Sequence, residues 1–171
     1  MSTAALPHPP SNARRASSAA VWVGLVAWLA LCLGVMGLAA LFPADAWYAA
    51  LQKPAWTPPN WVFPVVWPVL YTLMGVSAWM VWRKAGFAGA GLALGVFFAQ
   101  LAANGFWSYL FFGLHRPDLA LIDITLLWVL VAATLLAFRR HSAAAWLLAP
   151  YLLWVTYAAT LNGGILLMNT A

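Results

Sequence analysis

The stretch "LQKPAWTPPNWVFPVVWPVLY", residues 51–71, contains five prolines and three tryptophans and changes character at its middle. Its first half is polar and rich in proline, which disfavours a helix interior and favours an extended turn. Its second half is almost wholly apolar and opens a long hydrophobic segment. The stretch therefore predicts a stiff loop that passes directly into a membrane-spanning helix. Pro64 lies in the first turn of that helix, and Pro68 lies deeper, where we expect a kink.

The composition of the whole chain indicates a polytopic membrane protein. Of its 171 residues, 65% are hydrophobic and 6% are charged, whereas about a quarter of the residues in a soluble domain are charged. The basic residues are too scattered to follow a nucleic-acid backbone, so we expect no nucleic-acid partner. The single cysteine, Cys32, excludes an intramolecular disulfide framework. No histidine lies in an apolar segment, and we expect neither a metal site nor a required cofactor.

Five apolar segments predict an all-α integral membrane bundle of five transmembrane helices, since each reaches the roughly 20 residues that cross a bilayer. The spans are 20–42, 61–82, 87–113, 119–138 and 143–168. Residues 1–19 are polar and are expected to be a disordered tail, which leaves 20–169 as the membrane domain. The first outer loop, 43–60, is the long connection. Asp45 can cap a short loop helix over 46–52, which Lys53 and Pro54 would end.

The distribution of positive charge predicts the orientation of the bundle. With five spans, one side holds six cations, namely Arg14, Arg15, Arg83, Lys84, Arg139 and Arg140, and the other side holds Lys53 and Arg116. Cytoplasmic loops carry the excess of Lys and Arg, so the N-terminus is predicted to be cytoplasmic and the C-terminus to lie outside. A cleavable signal peptide ending near "ADA" (44–46) is the alternative to a retained first helix. The first apolar run is longer than a usual signal-peptide core, which favours the retained helix.

Polar and aromatic residues recur on single helical faces of three spans. The second span carries Trp67 and Tyr71, the third carries Gln100, Asn104 and Trp107, and the fifth carries Tyr151, Trp154, Ala158 and Asn162. Residues spaced by three and four share one face of a helix. If these faces converge, they line a cavity on the loop side of the bundle, roofed by 43–60. Core packing and interhelical hydrogen bonds account for the same residues equally well.

Small residues form a second pattern, at Gly91, Gly95 and Ala99 of the third span. Such small-xxx-small spacing lets helix backbones approach closely. It favours either close packing inside one bundle or a homodimer interface. Asp123, just over one turn into the fourth span, is expected to reach the interface or to pair with Arg116. A proton- or ligand-coupled role for this aspartate is the alternative.

The chain resembles the TspO/MBR family, the tryptophan-rich sensory proteins whose mitochondrial relatives are the translocator proteins or peripheral benzodiazepine receptors. The resemblance covers residues 20–169. It is carried by "WYAALQKPAWTPPNWVFPVVWPVLYTLMG" (47–75), "AQLAANGFWSYLFFG" (99–113) and "PYLLWVTYAATLN" (150–162). It implies five packed transmembrane helices, often dimeric, with a pocket under the first loop that takes porphyrins such as protoporphyrin IX or haem. Transferred onto this chain, it makes pocket candidates of Tyr48, Trp56, Pro59, Trp67, Asn104, Trp107, Trp154 and Ala158.

The resemblance implies a tetrapyrrole-binding sensory or regulatory protein, expected in a bacterial cytoplasmic membrane. A photo-oxidative enzyme that degrades porphyrin through Trp67 and Trp154 is one alternative. A facilitator of porphyrin or lipophile transport is another. One feature departs from the mitochondrial members, because the C-terminal "LNGGILLMNTA" (161–171) has no tyrosine, lysine or arginine for their sterol motif. Specific sterol binding at that position is therefore not expected.

Overall fold

The computed structural model of the chain describes residues 18–170, and this part of the chain is helical without strands. Its elements are α1 (Ser18–Ala39), α2 (Ala46–Ala50), α3 (Val62–Ser108), a π-helical turn (Tyr109–Gly113), α4 (Pro117–Arg139), a 3-10 segment (Ala143–Leu148) and α5 (Ala149–Asn169). Four stretches are long and apolar enough to cross a membrane. The chain is therefore an integral, multi-pass membrane protein.

The longest of these stretches, Val62–Gly113, contains two antiparallel arms. Gly86 has a φ of 62°, in the left-handed region that glycine occupies without steric cost, and Ala90 also departs from helical dihedrals. Gln100 Nε2 lies 3.8 Å from Met74 Sδ, whereas 26 residues of straight helix would separate them by about 39 Å. The chain thus folds back near Gly86, and residues 62–85 and 87–108 form the two arms of α3.

The two arms divide Val62–Gly113 at the position where the sequence predicts a turn, so the predicted five spans correspond to α1, the two arms of α3, α4, and the 3-10 segment followed by α5. The predicted boundaries differ in detail. Ser18 and Ala19 begin α1 instead of ending a tail, and residues 1–17 of that tail lie outside the described residues. The loop helix is shorter than 46–52 and ends at Ala50. Helical dihedrals continue through Pro68.

The helices pack around a core to which every span contributes. Trp28 and Cys32 of α1 are buried in it, together with Phe97, Phe138 and Tyr151. Gly75 allows the backbone of α1 to approach the first arm of α3 closely, because a Cβ at this position would lie 3.2 Å from the carbonyl oxygen of Trp28 and 3.3 Å from the Cα of Leu29. Any larger residue at position 75 would push α1 away from the first arm of α3.

The connections at the two ends of the bundle differ in chemistry. On the loop side, Arg116 Nε donates to Asp118 Oδ1 at 2.8 Å, and Asp123 Oδ2 has no hydrogen-bond partner among residues 18–170. Of the two expectations for Asp123, the pairing with Arg116 is therefore wrong. A carboxylate two residues away satisfies the guanidinium without a reach into the span. The opposite side carries Arg83, Lys84, Arg139 and Arg140 in its turns. Which side is cytoplasmic stays a prediction from this charge bias.

Candidate functional site

A cavity of about 300 Å³ lies between both arms of α3, α4 and α5, on the loop side of the bundle. Its walls are mostly aromatic and aliphatic. The lining residues are Ala44, Tyr48, Thr57, Asn60, Phe63, Trp67, Asn104, Trp107, Phe111, Phe112, Ile124, Leu127, Trp154, Val155, Ala158, Leu161, Asn162 and Ile165. None of these residues carries a full charge at neutral pH. The volume lies at the lower end of the range for small-molecule sites.

Three tryptophans from three different spans face this cavity. The rings of Trp67 and Trp154 meet edge to face, with centroids 6.3 Å apart and an interplanar angle of 86°. The ring of Trp107 stacks on Phe111 with centroids 5.0 Å apart. Each contact is in the range in which aromatic pairs attract beyond their burial. Ring-to-ring packing thus joins the first arm of α3 to α5, while the Trp107 stack lies within the second arm and the π-helical turn that follows it.

Asn162 fixes the position of the Trp107 ring. Trp107 Nε1 donates to Asn162 Oδ1 at 3.1 Å, and Asn162 Nδ2 donates to the carbonyl oxygen of Pro117 at 2.8 Å. The Asn162 side chain is almost fully buried, so both bonds lie where water does not compete. One amide therefore connects α5 to the second arm of α3 and to the start of α4.

Two hydrogen-bond donors of the lining have no partner within residues 18–170. They are Nδ2 of Asn104, which lies near the Tyr151 hydroxyl but not in hydrogen-bonding geometry, and Nε1 of Trp154. A buried donor without a partner is costly, and such groups in a cavity wall are commonly satisfied by water or a ligand. The cavity is therefore apolar with two donors available, a combination suited to a largely apolar ligand that carries hydrogen-bond acceptors.

The loop 43–60, here called the lid, closes the cavity on the aqueous side. Its residue Gln52 exchanges two hydrogen bonds with Asn169 at the end of α5, at 3.0 and 2.9 Å. The Tyr157 hydroxyl donates to the carbonyl oxygen of Trp56 at 2.7 Å. Pro54 is buried against Gly164, where a Cβ would lie 2.5 Å from Pro54 Cγ. The lid is thus attached to α5 at three places along its second half.

The first half of the lid is fixed by Asp45. Its Oδ1 accepts from the backbone N–H of Tyr48 at 3.0 Å and caps α2, while Oδ2 lies 3.0 Å from His115 Nε2. The backbone hydrogen bond from Tyr48, followed by the charge of His115, lowers the pKa of Asp45 below its usual value. A depressed carboxyl pKa stabilises the folded lid above the unfolded pKa, and this contribution is lost as pH falls through the folded pKa.

Tyr48 joins the lid to the cavity lining. Burial raises the pKa of its phenol, and the Nζ of Lys53 lies 4.6 Å from its ring centroid. Lys53 Nζ also donates to the carbonyl oxygens of Ala49 and Leu51. The lid therefore holds a cation directly behind one aromatic wall of the cavity, although the cation itself does not line it.

The structure places the predicted site residues in three groups. Seven line the cavity: Tyr48, Trp67, Asn104, Trp107, Trp154, Ala158 and Asn162. Gln100 and Tyr151 are buried among the spans and do not line it, and Tyr71 lines a neighbouring cavity instead. Trp56 and Pro59 lie outside the lining, and the Trp56 side chain is 56% exposed. The expectation that Trp56 points into the cavity is therefore wrong, because its ring lies over Gly164 beside Pro54, with Cζ2 at 3.5 Å from a Cβ at that position, and not in the lining.

The sequence did not reveal the contribution of α4. Ile124 and Leu127 line the cavity, but both are aliphatic, so the search for faces that carry polar and aromatic residues did not select them. Phe63 and Phe112 were also missed. Phe112 lies in the π-helical turn, and a π-helical turn shifts the following residues around the helix axis, so an α-helical spacing does not predict its direction.

Comparison with known proteins agrees with these features. The sequence profile of the TspO/MBR family matches residues 13–168. The chain is 40% identical to the tryptophan-rich protein TspO of Archaeoglobus fulgidus over 148 residues, which are 85% of this chain and 96% of the relative. It is 41% identical to the tryptophan-rich sensory protein of Cereibacter sphaeroides over 86% of this chain and 92% of the relative. It is 45% identical to the translocator protein of Sus scrofa over 68% and 70% of the two chains.

Proposed function

Because the chain belongs to the TspO/MBR family, we propose that it is a membrane sensory or regulatory protein that binds a porphyrin or haem in the cavity beneath the lid. The name of the relative from Cereibacter sphaeroides, a tryptophan-rich sensory protein, supports the sensory role. The observation that carries the ligand class is the cavity wall itself, in which seven aromatic side chains surround a space without charged residues: Tyr48, Phe63, Trp67, Trp107, Phe111, Phe112 and Trp154.

Flat aromatic macrocycles suit such a wall, because stacked and edge-to-face contacts reward planar ligands. The acidic edge of a porphyrin needs a different environment. Burying a carboxylate without a cation is costly, and no Lys or Arg among residues 18–170 lines the cavity. The propionates therefore belong at the lid, where Lys53 lies behind Tyr48. The free Nδ2 of Asn104 and Nε1 of Trp154 would then serve neutral acceptors deeper in the cavity.

Replacing both Trp67 and Trp154 by leucine should weaken the binding of protoporphyrin IX by about tenfold or more. Each aromatic contact contributes about 0.5–1.5 kcal/mol beyond burial, and leucine keeps apolar bulk but removes the ring. The measurement is a titration of the purified protein with protoporphyrin IX, followed by quenching of tryptophan fluorescence.

Trp22→Leu is the matched control for that titration, because Trp22 is 61% exposed on α1 and is absent from the lining. This variant should bind as the unchanged protein does. Quenching no stronger than in detergent alone, or equal affinity of the double variant and the unchanged protein, would refute tetrapyrrole binding in this cavity.

The exposed face of the second arm of α3 supports a homodimer, which we include in the proposal. Gly91, Gly95 and Ala99 are all exposed, and a Cβ at either glycine meets no atom within 4 Å. These small residues therefore do not serve packing inside one bundle, and they would allow a second copy to approach closely.

Gly95→Leu should convert the dimer into a monomer, because the added side chain would separate the two backbones. The molar mass in lipid nanodiscs, measured by light scattering, checks this result. Gly34→Leu is the control, since Gly34 on α1 is equally exposed and equally free of neighbours. A monomeric mass for the unchanged protein would contradict the dimer.

A further inference from the structure

A second cavity, of about 360 Å³, lies beside the first one and shares part of its wall. It is bounded by the end of α1 and by the loop-side ends of both arms of α3. Four residues line both cavities: Phe63, Trp67, Asn104 and Phe112. These side chains form a partition, so the two spaces are separated by single layers of side chains and not by backbone.

The second cavity opens at the flank of the bundle. Gly37 and Ala40 of the α1 end and Pro64 of the first arm line it and are exposed. Gly37 and Pro64 belong to stretches apolar enough to cross a membrane. The surroundings of this opening are therefore the bilayer, on the same side of it as the lid.

Among residues 18–170, no side-chain hydrogen bond joins the end of α1 to the first arm of α3 across the flank of this cavity. Residues 36–42, at the end of α1, are all apolar in their side chains, so none can donate or accept a side-chain hydrogen bond to the first arm. Pro68 has no backbone N–H, which leaves the carbonyl of Pro64 without its usual helical partner. A Cβ at Gly37 would meet no atom within 4 Å. Gly37 therefore leaves open space at the mouth of this cavity.

The lid side is the opposite case. To open it, the chain must break the two Gln52–Asn169 hydrogen bonds and the Tyr157–Trp56 hydrogen bond and lift Pro54 from Gly164. To open the partition, the side chains of Phe63, Trp67 and Phe112 must change rotamer. Side-chain rotation requires no rearrangement of the backbone, whereas lid opening requires a collective loop motion.

From this contrast we infer that the ligand reaches the first cavity sideways from the bilayer, through the second cavity and past the partition, while the lid stays closed. The inference rests on the proposed tetrapyrrole site and adds its route. A planar lipophilic molecule that lies in the bilayer with its carboxylates at the level of the lid fits an opening of this kind, because its macrocycle stays in an apolar environment while its charged edge stays at the aqueous side. Asn104, whose Nδ2 has no partner among the described residues, faces both spaces and offers a donor along the way.

The test compares the rates of protoporphyrin IX binding to variants in lipid vesicles by stopped-flow fluorescence. Gly37→Phe adds bulk to the second cavity and does not touch the first. It should slow association and dissociation alike by about tenfold, leaving the equilibrium affinity within about twofold, since a blocked route changes rates and not the bound state. Ala40→Phe should do the same and guards against misfolding of one variant. Gly34→Phe, on α1 but outside both linings, should have no effect.

A second experiment crosslinks the lid to α5. Gln52→Cys and Asn169→Cys, made together with Cys32→Ser and joined by a short bifunctional maleimide, should leave the association rate unchanged. A lid crosslink that stops association, with Gly37→Phe as fast as the unchanged protein, would overturn the lateral route and leave the proposed site intact. Absence of equilibrium binding by the unchanged protein would overturn the proposed function itself, and the route with it.

Discussion

Gly164→Ala should detach the lid from α5 and raise the hydrogen exchange of residues 51–57 by about tenfold or more, which corresponds to a loss of about 1.4 kcal/mol or more in lid closure. The added Cβ would lie 2.5 Å from Cγ of Pro54, a distance that non-bonded carbons do not adopt. The proline ring is fixed to its own backbone, so it cannot rotate away as a flexible side chain would. The backbone of the lid must move instead.

The displacement should spread along the lid, because Gln52 and Trp56, on either side of Pro54, are hydrogen-bonded to α5. Gly163→Ala provides the matched control one residue away. A Cβ at Gly163 would meet only Leu121 Cδ1, at 3.9 Å, and alanine favours a helix over glycine by about 1 kcal/mol. This variant should be as stable as the unchanged protein or more so, with unaltered exchange in the lid.

Equal exchange of residues 51–57 in the two alanine variants would show that Pro54 does not hold the lid. Limited proteolysis offers a second readout, since a detached loop exposes the Trp56–Thr57 peptide bond to chymotrypsin. Under the proposed function, Gly164→Ala should also weaken protoporphyrin IX binding, because Tyr48 and Thr57 of the lid line the cavity.

The sequence predicted helix content and spans well because the bilayer imposes a strong rule. A chain segment in hydrocarbon must satisfy its backbone internally, so an apolar run of sufficient length is a helix. The break between the two arms of α3 was also predictable, since "RKAG" (83–86) puts two cations and a glycine between apolar runs. The start of α1 at Ser18 and the π-helical turn at 109–113 could not be predicted. Helix starts and π-helical turns depend on local packing, which hydropathy does not record.

The site could be predicted only where residue spacing identifies one face of a helix. Spacing by three and four placed Asn104 with Trp107, and Trp154 with Ala158, on the faces that meet at the cavity. The same spacing also included Gln100 and Tyr151, which lie outside its lining. Periodicity gives a direction around the helix axis, but the extent of a cavity along the axis depends on how neighbouring helices separate. Trp56 shows a similar limit for loops. The direction of a loop side chain depends on tertiary contacts, such as those of Pro54 and Trp56 with Gly164, which residue spacing does not describe.

Replacing Asn162 by leucine should destabilise the folded protein by about 1–3 kcal/mol, because it removes the two part-buried hydrogen bonds that join α5 to its neighbours. Trp107 Nε1 would lose its acceptor at 3.1 Å, and the carbonyl of Pro117 would lose a donor at 2.8 Å. Leucine keeps the branched heavy-atom skeleton of asparagine with bulkier methyl groups, so the change removes hydrogen bonds without opening a cavity. Thermal unfolding in detergent, followed by tryptophan fluorescence, measures the loss.

A double-mutant cycle separates the Trp107 bond from the Pro117 bond. Trp107→Phe keeps the ring stack on Phe111 and removes the N–H. If the hydrogen bond matters, Trp107→Phe should destabilise the unchanged protein more than it destabilises Asn162→Leu, with a coupling of about 0.5–1.5 kcal/mol. Purely additive losses would show that the 3.1 Å contact contributes nothing. A positive coupling would establish that α5 orients a tryptophan on the second arm of α3, and hence that the shape of the cavity depends on the register between these two helices.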